Sequence, residues 1–331
     1  MAPSFQPDFA GRRVAILGDL VADQFLNGTI ARVSREAPVF ILRHDQTTTR
    51  AGAAANTAAN VAALGGEALL VGLVGDDANG KLLLETLSDG VDTEGVIRSA
   101  DFQTTTKVRV LAGQHYAARQ QVIRIDYECS REIDAETRTG LAEDLSKAAA
   151  VADAIVVSDY GYGVVTPELF EQARKIAGEK QIPLIVDSRF RLTEFVGATS
   201  ATPNQDEVEQ ILGSGFTDTD CAKLRESLGL EALLVTRGNK GMLLIEAGRQ
   251  PVSIDAFGSS EPVDVTGAGD TVIAAYALGL ASGLSFEDAA RIANHAGSIV
   301  VMKKGTATAA IDELVRSLAG GDHAPQAAPA N

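Results

Sequence analysis

Short apolar runs alternate with helical patterns along most of this chain, and this alternation constrains its fold more than any other feature. The predicted strands cover residues 12–18, 68–73, 154–158, 183–186 and 232–238. The predicted helices cover residues 51–65, 80–87, 136–149, 167–177 and 286–302. Strands that alternate with helices pair in parallel, because each crossover returns the chain to the same edge of the sheet. The sequence therefore predicts a doubly wound, mostly parallel α/β sheet flanked by helices, with ligands at the carboxyl ends of its strands.

Two segments interrupt this rhythm, around residues 24–45 and 104–127, where apolar and polar residues alternate instead. That period is typical of strands with one exposed face. We place both segments together as a small β lid within one domain that spans residues 12–318. Residues 319–331 are rich in Gly, Pro and Ala, and we expect them to form a disordered tail with no further domain.

Composition narrows the class of protein. The chain has 331 residues, 45% of them hydrophobic, which suffices for one large α/β domain with an appendage. Its formal net charge of −15 argues against nucleic acid or an anionic membrane as a partner. Cys129 and Cys221 form no CxxC pair and suit a reducing compartment. We find no signal-like N-terminus and no run long enough to span a bilayer, so we expect a cytoplasmic protein.

Residues 264–270, with the sequence Asp-Val-Thr-Gly-Ala-Gly-Asp, open an apolar helix with two glycines around one alanine. Each glycine inside a helix costs about 1 kcal/mol relative to alanine, so a purely structural helix start rarely uses two. The unpaired N–H groups of a first helical turn bind anions, and missing side chains let an anion approach closely. A carboxylate beside a bound phosphate repels it. We therefore expect a carboxylate at such a site only where it takes part in the reaction.

This pattern predicts phosphoryl transfer from ATP to an alcohol. Asp270 is the predicted general base, which accepts the proton of the hydroxyl group. The backbone N–H groups of Gly267, Ala268 and Gly269 are predicted to hold the charge on the transferring phosphoryl group. A different interpretation stays open, in which Thr266 caps a loose helix start and Asp270 is merely favourable in its first turn.

Residues 264–270 resemble the C-terminal signature of the ribokinase-like (PfkB) carbohydrate kinases, and residues 51–56 (Ala-Gly-Ala-Ala-Ala-Asn) resemble their N-terminal signature. The resemblance runs from about residue 12 to residue 318. Four shorter stretches resemble the heptose-7-phosphate kinases of this family: residues 18–23, 34–39, 158–160 and 202–204. The resemblance implies an ATP- and Mg²⁺-dependent kinase. Its expected reaction phosphorylates O1 of D-glycero-D-manno-heptose 7-phosphate to the 1,7-bisphosphate in the ADP-heptose branch of lipopolysaccharide synthesis.

The resemblance assigns sugar contacts to two acids after the first strand, Asp19 and Asp23. It assigns further contacts to Gly52, Asn56 and Asn60 at the start of the alanine-rich helix. Asn56 and Asn60 are four residues apart, hence on one helical face. Two side-chain amides in line can form hydrogen bonds with several hydroxyl groups of a sugar ring. Without the resemblance, the acids are solvated loop residues and the helix is ordinary core.

The chain departs from the family pattern at three places. Ala53 stands where relatives usually have a second glycine, and Tyr162 stands near a position where they often have lysine. Asp187-Ser188-Arg189 stands where they show Asp-Pro-Lys. Asp187 is assigned to the substrate, whereas the roles of Tyr162 and Arg189 stay open.

The lid segments carry cations in an otherwise acidic protein. Lys107 and Arg109, two apart in a strand, point to the same face, and Arg124 lies on the next predicted strand. A substrate that bears a phosphate needs such cations, so we assign all three to the substrate. The alternative is a solvated lid edge. In relatives such lids often pair between subunits, which implies a homodimer and would cover the exposed strand edges.

The resemblance assigns ATP contacts to four stretches. The residues are Asn204, Gln205, Asp206, Glu207, Thr236, Arg237, Gly238, Gly267, Gly269 and Asn294. Glu207 is expected to serve the metal through water, since Mg²⁺ prefers oxygen ligands and keeps several waters. Asn204 and Glu207 also suit a plain helix cap, and the residues alone favour that alternative.

Three other functions remain to be weighed. The first is a kinase of the same fold that acts on an unphosphorylated sugar, such as ribose or fructose. The role of the lid cations separates it from the leading hypothesis, because only a phosphorylated substrate needs them. A nicotinamide dehydrogenase needs Gly-x-Gly-x-x-Gly after its first strand, and residues 18–21 do not provide it. A catalytically inactive sugar-binding protein is compatible with the fold, but the glycine motif together with Asp270 argues against it.

Overall fold

A long, twisted sheet forms the centre of the molecule. The computed structural model describes residues 7–114, 119–129, 132–259 and 261–320. In chain order the strands are β1 (Arg13–Gly18), β2 (Leu20–Val33), β3 (Phe40–Ala53), β4 (Glu67–Gly75), β5 (Val91–Asp92), β6 (Val96–Ser99), β7 (Thr106–Gly113), β8 (Gln120–Tyr127), β9 (Ala154–Asp159), β10 (Leu184–Ser188), β11 (Ser200–Ala201), β12 (Ala232–Thr236), β13 (Met242–Glu246) and β14 (Val252–Ile254).

The helices pack on both faces of this sheet. They are α1 (Ala54–Ala63), α2 (Ala78–Glu85), α3 (Ala135–Val151), α4 (Pro167–Lys180), α5 (Gln205–Leu212), α6 (Asp218–Ser227), α7 (Ala268–Ala281), α8 (Phe286–Val300) and α9 (Ile311–Ala319), with short 3₁₀ turns at Leu192–Glu194 and Gly238–Lys240. Within the described residues, none of the helices has the length and apolar character needed to cross a lipid bilayer.

The strand order of the central sheet is β14-β13-β12-β11-β10-β9-β1-β4-β5, and β6 pairs with β4. Its strands pair in parallel from β5 to β12, and β13 and β14 extend it in the antiparallel sense. The prediction of a doubly wound, mostly parallel sheet is confirmed. The order reverses at β1, which places the carboxyl ends of β1 and β9 at the point where such folds bind ligands.

Both faces of the central sheet are buried, which explains why its strands read as continuous apolar runs. Along β1, Val14 and Ile16 belong to the apolar core on the side of α1, α2, α7, α8 and α9, whereas Ala15 and Leu17 belong to the core on the side of α3 to α6. All four of these side chains are fully buried. The alternation follows from the two-residue period of a strand.

A second, four-stranded sheet has the order β3-β2-β7-β8, and we call it the lid sheet. Strand β2 pairs with β3 in the antiparallel sense and with β7 in parallel, and β8 completes the sheet as an antiparallel edge strand. All eight residues of β8 are exposed, among them Val122, Ile123, Ile125 and Tyr127. The lid sheet therefore offers solvent an edge strand with large apolar side chains.

The structure differs from the sequence prediction mainly at element boundaries. Strand β2 begins at Leu20, directly after β1, because its first residues pair with the last residues of β3 in the core. Helices α6 and α9 were not predicted, and α9 includes Ala319 from the predicted tail. Residues 321–331, the rest of that predicted tail, lie outside the described residues.

Candidate active site

Four polar side chains meet at the carboxyl edge of the central sheet. Asp19 follows β1, Tyr160 follows β9, Asp187 lies near the end of β10, and Asp270 lies in the first turn of α7. Parallel strands end at the same edge, so the sheet itself brings these distant parts of the chain together.

Asp270 is held by two donors. Its Oδ2 accepts a hydrogen bond from Asn56 Nδ2 at 2.8 Å, and its Oδ1 accepts one from the Tyr160 hydroxyl at 2.7 Å. The side chain is buried, with a fractional exposure of 2%. Burial raises the pKa of Asp270 to about 6, and the bonds from Asn56 and Tyr160 oppose that rise. A carboxylate that titrates near the working pH suits general-base chemistry.

The two glycines of the motif differ in their surroundings. Gly267 is the N-cap of α7 with φ +78°, and a Cβ there would lie 2.6 Å from Asn56 Nδ2 and 2.8 Å from Thr306 Cγ2. Gly269 is exposed, and a Cβ there would meet nothing within 4 Å. The first glycine is therefore required by packing, whereas the second leaves the helix N-terminus open to a ligand.

The alternative in which Thr266 caps α7 is wrong, because the cap residue is Gly267 and no side chain bonds the first turn. The Ala268 N–H donates to Val265 O at 3.3 Å within the preceding turn. Its predicted role toward the phosphoryl group competes with that bond. By helix geometry the next two N–H groups, those of Gly269 and Asp270, have no partner inside α7.

Asp23 lies on β2, near the inner end of the lid sheet. Its carboxylate forms an ion pair with Arg109 and accepts a bond from Thr306 Oγ1 at 3.1 Å. A Cβ on Gly52 would lie 2.7 Å from Asp23 Oδ2, so glycine gives this carboxylate its room. The negative charge of Asp23 adds to the effect of burial in raising the pKa of Asp270.

The predicted substrate contact of Asp19 is wrong. Its exposure is 1%, and its oxygens accept three backbone N–H bonds, from Tyr160, Tyr162 and Val164, at 2.8 to 3.1 Å. Burial raises the pKa of Asp19 to about 6, against the effect of these bonds. Its carboxylate fixes the loop after β9.

The predicted substrate contact of Asn60 is also wrong. Its amide donates to Asn56 O at 3.0 Å and to Asn56 Oδ1 at 3.2 Å, and its oxygen accepts from Thr271 Oγ1 and Ala309 N. The side chain is fully buried. Asn60 uses its hydrogen-bonding capacity inside the protein, where it orients Asn56 and ties α1 to α7.

Lys107 lies on β7 and faces a cavity of about 690 Å³ beside the base. Its Nζ lies 5.4 Å from the ring centres of both Tyr160 and Tyr162, and the residue is 6% exposed. In the parts of the chain that the structure describes, this ammonium has no hydrogen-bond acceptor and no ion-pair partner. Burial lowers the pKa of Lys107, the charges of Asp23 and Asp126 oppose that effect, and the charges of Arg189 and Arg109 add to it.

The other two predicted lid cations, Arg124 and Arg109, differ in their position relative to this cavity. Arg124 lines the cavity together with Arg189, although its guanidinium also pairs with Asp126 at 2.9 Å. Arg109 does not line it, because its guanidinium is paired with Asp23. The assignment of Arg109 to a substrate phosphate is therefore corrected. Arg189, whose role the sequence left open, replaces it at the cavity wall.

A second, narrower cavity of about 190 Å³ lies between the start of α7, α8 and the turn after β12. Its wall includes four of the predicted ATP residues: Thr236, Gly238, Gly269 and Asn294. Asn294 Nδ2 donates to Asp255 O at 2.8 Å, which fixes the loop beside the cavity. Phe257, Met242 and Val272 give the same cavity an apolar wall that suits a purine base.

The remaining predicted ATP residues do not line this cavity. Arg237 instead pairs with Asp218 on α6 at 3.4 Å. Asn204 and Glu207 form a reciprocal cap at the start of α5, with bonds of 2.9 and 2.8 Å. The alternative of a helix cap is therefore confirmed for this pair. Gln205 and Asp206 lie in the first turn of the same helix, outside the cavity.

Glu207 nevertheless faces the acidic edge of the site. Burial raises its pKa, and the charge of Glu207 helps to raise the pKa of Asp187 well above its ordinary value. Two neighbouring carboxyl groups suit a hard cation such as Mg²⁺, which needs few protein oxygen ligands and keeps several bound waters. Over the described ranges, no group of three or more His, Cys, Asp or Glu side chains is arranged to hold a metal ion. The contact of Glu207 with Mg²⁺ through water stays a prediction, and its carboxyl oxygens are of the kind that Mg²⁺ prefers.

Sequence reasoning missed the bonds of Tyr160 and Thr306. Both residues contact predicted site carboxylates, Tyr160 at Asp270 and Thr306 at Asp23. One signal for Tyr160 was available, since it follows a buried strand at the ligand-binding edge. No comparable pattern in the sequence marks Thr306.

Comparison with known proteins identifies the family of this chain. The profile described as pfkB family carbohydrate kinase matches residues 13–313. The bifunctional protein HldE of Gluconobacter oxydans (strain 621H) is 41% identical over 318 residues, which cover 94% of this chain and 65% of that protein. HldE of Geobacter sulfurreducens is 38% identical over 310 residues, covering 92% of this chain and 62% of that protein. The chain thus spans somewhat less than two thirds of the length of these relatives.

Solved structures show the same ribokinase-like fold. Arabidopsis thaliana ribokinase, complexed with ribose and ATP, superposes with a TM-score of 0.70 at 22% identity and covers 93% of this chain and 99% of that one. Phosphofructokinase-2 from Escherichia coli, in complex with substrates and products, has a TM-score of 0.75 at 20% identity, with 93% and 99% coverage.

Proposed function

This chain belongs to the pfkB family of carbohydrate kinases and is an ATP-dependent sugar kinase, and from that premise we propose that its substrate is D-glycero-D-manno-heptose 7-phosphate. The proposed reaction phosphorylates O1 and gives the 1,7-bisphosphate, as a step of ADP-heptose synthesis for lipopolysaccharide in the cytoplasm. Its relatives are bifunctional, and we infer that this chain corresponds to the sugar kinase portion of such a protein.

The observation that carries the choice of substrate is Lys107. Its ammonium is almost completely buried, faces the larger cavity and has no acceptor among the described residues. Two further cations, Arg124 and Arg189, stand on the wall of the same cavity. A buried ammonium without a direct hydrogen-bond acceptor is costly even with the charges of Asp23 and Asp126 nearby, and a phosphate on the substrate would supply that acceptor. A neutral sugar such as ribose offers these cations hydroxyl acceptors but no negative charge.

The positions of the two cavities support a transfer between them. The larger cavity includes Tyr160, which bonds Asp270, and the narrower cavity reaches Gly269 on the other side of the α7 N-terminus. We place the sugar phosphate in the first cavity and the adenosine of ATP in the second. The γ-phosphoryl group then lies against the first turn of α7, where the N–H groups and the positive end of the helix dipole face it.

In the proposed reaction, the acceptor hydroxyl gives its proton to Asp270 as its oxygen bonds to the γ-phosphorus. The bond from phosphorus to the bridging oxygen breaks, and the electron pair leaves with ADP. The N–H groups of Gly269 and its neighbours in the turn hold the charge on the equatorial oxygens. When bound with the nucleotide, Mg²⁺ neutralises part of the phosphate charge, and Glu207 would hold it through water.

We further propose that the protein is a homodimer that pairs through the lid sheets. The support is strand β8, an exposed edge strand that carries Val122, Ile123, Ile125 and Tyr127 on the surface. Natural proteins seldom leave such an edge unprotected. A second copy of the same strand would cover the edge and its apolar side chains together.

The experiment that tests the substrate is a panel of acceptors, with ADP release measured in the presence of ATP and Mg²⁺. The panel contains heptose 7-phosphate, ribose, fructose and fructose 6-phosphate. Turnover with heptose 7-phosphate alone would support the proposal, and transfer to O1 would be read from the ³¹P spectrum of the product. Preferential turnover of ribose or fructose would reject the heptose assignment and leave a kinase of another sugar.

A further inference from the structure

Tyr160 is held at every part of its side chain and backbone. It follows β9, and its backbone N–H donates to Asp19 Oδ2 at 2.8 Å. Lys107 Nζ lies 5.4 Å from the centre of its ring, and its hydroxyl donates to Asp270 Oδ1 at 2.7 Å. A side chain fixed in this way presents its hydroxyl to Asp270 in one orientation.

We propose that Tyr160 is a positioning residue of the kinase reaction, whose hydroxyl fixes the rotation of the Asp270 carboxylate and favours its ionised form. The inference rests on the proposed role of Asp270 as general base. Tyr160 itself touches neither ATP nor the acceptor atom in this scheme.

The need for a second donor follows from the geometry of a carboxylate. Asn56 bonds one oxygen, Oδ2, and a carboxylate held at one oxygen still rotates about its Cβ–Cγ bond. With donors at both oxygens the rotation is fixed, and a remaining lone pair can point at the acceptor hydroxyl. Alignment of the base is worth a large part of the rate in reactions of this kind.

Tyr160 acts only as a donor. Burial, followed by the charge of Asp270, raises the pKa of Tyr160 well above its ordinary value of 10.0. The phenol therefore keeps its proton at any working pH and does not compete with Asp270 as a base. Its bond to the ionised carboxylate opposes the effect of burial on Asp270.

Several other groups also set the charge of Asp270. The side chains that face it are two donors and three charged groups: Asn56, Tyr160, Lys107, Asp23 and Asp187. Asn56 and Lys107 favour its ionised form, whereas Asp23 disfavours it. Removal of the Tyr160 hydroxyl alone leaves the other four in place and must raise the pKa of Asp270.

The test replaces Tyr160 by Phe, which keeps the ring against Lys107 and removes only the hydroxyl. The matched control is Tyr276→Phe, farther along the same helix as Asp270, where a buried hydroxyl shares a 3.1 Å bond with Ser200. The pKa of Asp270 is measured in the ligand-free proteins by ¹³C NMR of labelled aspartate, with Asp270→Asn to identify the resonance. The pH profile of kcat is measured with heptose 7-phosphate, or with whichever sugar of the panel is turned over.

In Tyr160→Phe we expect the pKa of Asp270 to rise by about one pH unit and kcat to fall about tenfold or more, with little change in KM. The acid limb of the kcat profile should move to higher pH by the same amount. Tyr276→Phe should lose thermal stability but keep the wild-type profile. An unchanged Asp270 titration in Tyr160→Phe overturns the inference, and so does the same profile shift in both variants.

A failure of the proposed role of Tyr160 can be distinguished from a failure of the proposed role of Asp270 as general base. If Asp270→Asn retains near-normal kcat, Asp270 is not the base and the positioning role falls with it. If Asp270→Asn is inactive and Tyr160→Phe matches the wild type in titration and kcat, only the role of Tyr160 is rejected. The NMR titration needs no acceptor, so it stands whichever sugar the kinase uses.

Discussion

Asn56 Nδ2 donates a 2.8 Å hydrogen bond to Asp270 Oδ2, although 214 positions of sequence separate the two residues. This bond joins the two signature stretches of the chain at one carboxylate. The same Asn56 amide also reaches Gly267 O at 3.3 Å, so the asparagine ties the turn before α7 to α1. The geometry of the proposed base therefore depends on both ends of the domain.

Replacement of Asp270 by Asn should lower kcat by about 10² to 10⁴, because the variant keeps the shape of the side chain and loses the base. The affinity for ATP should be retained or improved, since a negative charge near the phosphates is removed. Steady-state kinetics with heptose 7-phosphate and calorimetric titration with an ATP analogue measure the two effects. A kcat within about twofold of the wild type would show that another group accepts the proton.

The pH dependence of the wild-type enzyme should follow Asp270. Burial raises its pKa to about 6, and the protonated form cannot accept a proton from the acceptor. Activity should therefore be full above this pH and fall about tenfold per pH unit below it. The measurement is kcat/KM from pH 4.5 to pH 8.5 in buffers of constant ionic strength. An acid limb centred near pH 4 would contradict the buried geometry of the base.

Replacement of Lys107 by Gln should raise KM for heptose 7-phosphate by about 10- to 100-fold, since a bond between a buried ammonium and a phosphate is lost. KM for the same sugar without its phosphate should hardly change. The control is Lys81→Gln on α2, a lysine whose side chain is 73% exposed and pairs weakly with Glu85. Equal effects on both sugars would remove Lys107 from the phosphate site.

The two glycines of the motif should respond differently to alanine. Gly267→Ala should lower the free energy of unfolding by about 1–3 kcal/mol, because φ is +78° there and the new Cβ meets Asn56 and Thr306. Gly269→Ala should melt at or slightly above the wild type, by up to about 1 kcal/mol in the free energy of unfolding, since its Cβ meets nothing, yet raise KM for ATP or lower kcat about tenfold. Thermal melts and kinetics on both variants check this contrast. Full activity in Gly269→Ala would mean that no phosphate approaches this turn.

The lid sheet should lose its proposed pairing when a charge is placed on strand β8. Ile123 is 53% exposed in the single chain, and the Ile123→Glu variant would have to bury a carboxylate in the proposed dimer. We therefore expect this variant to be a monomer in light scattering. The control is Val151→Glu at the end of α3, which is 52% exposed and distant from the lid sheet. A wild-type protein that is monomeric at all concentrations would reject the dimer directly.

The central sheet could be predicted because its signal is local. Strand β1 covers Arg13–Gly18 against a predicted 12–18, since a run of small and branched apolar residues fits a strand that is buried on both faces. Helix α7 begins at Ala268, within the glycine motif that marked its start. Helix α6 was missed because its sequence is strongly polar and buries only Cys221 and Leu224.

The site was harder to predict, because the same residue type either binds a ligand or satisfies the backbone. Asp19 accepts the N–H of Tyr160 from 141 positions away, and Asn60 accepts from Thr271 across 211 positions. No local pattern reveals whether such partners arrive within hydrogen-bond distance. The rule for parallel sheets predicted the edge at which these side chains lie, whereas the direction of each side chain required the tertiary structure.

Strands β2 and β3 run without a break from the core into the lid sheet, from the pair Leu20 and Ala53 at one end to the pair Val33 and Phe40 at the other. This ribbon has no hinge loop between its two ends, and its register shifts only at Asn27/Gly28 and Ile30/Arg32. Irregularities of this kind are where a sheet bends. Any movement of the outer part of the lid sheet would therefore bend one continuous ribbon at these two places, rather than swing a flap on a flexible loop.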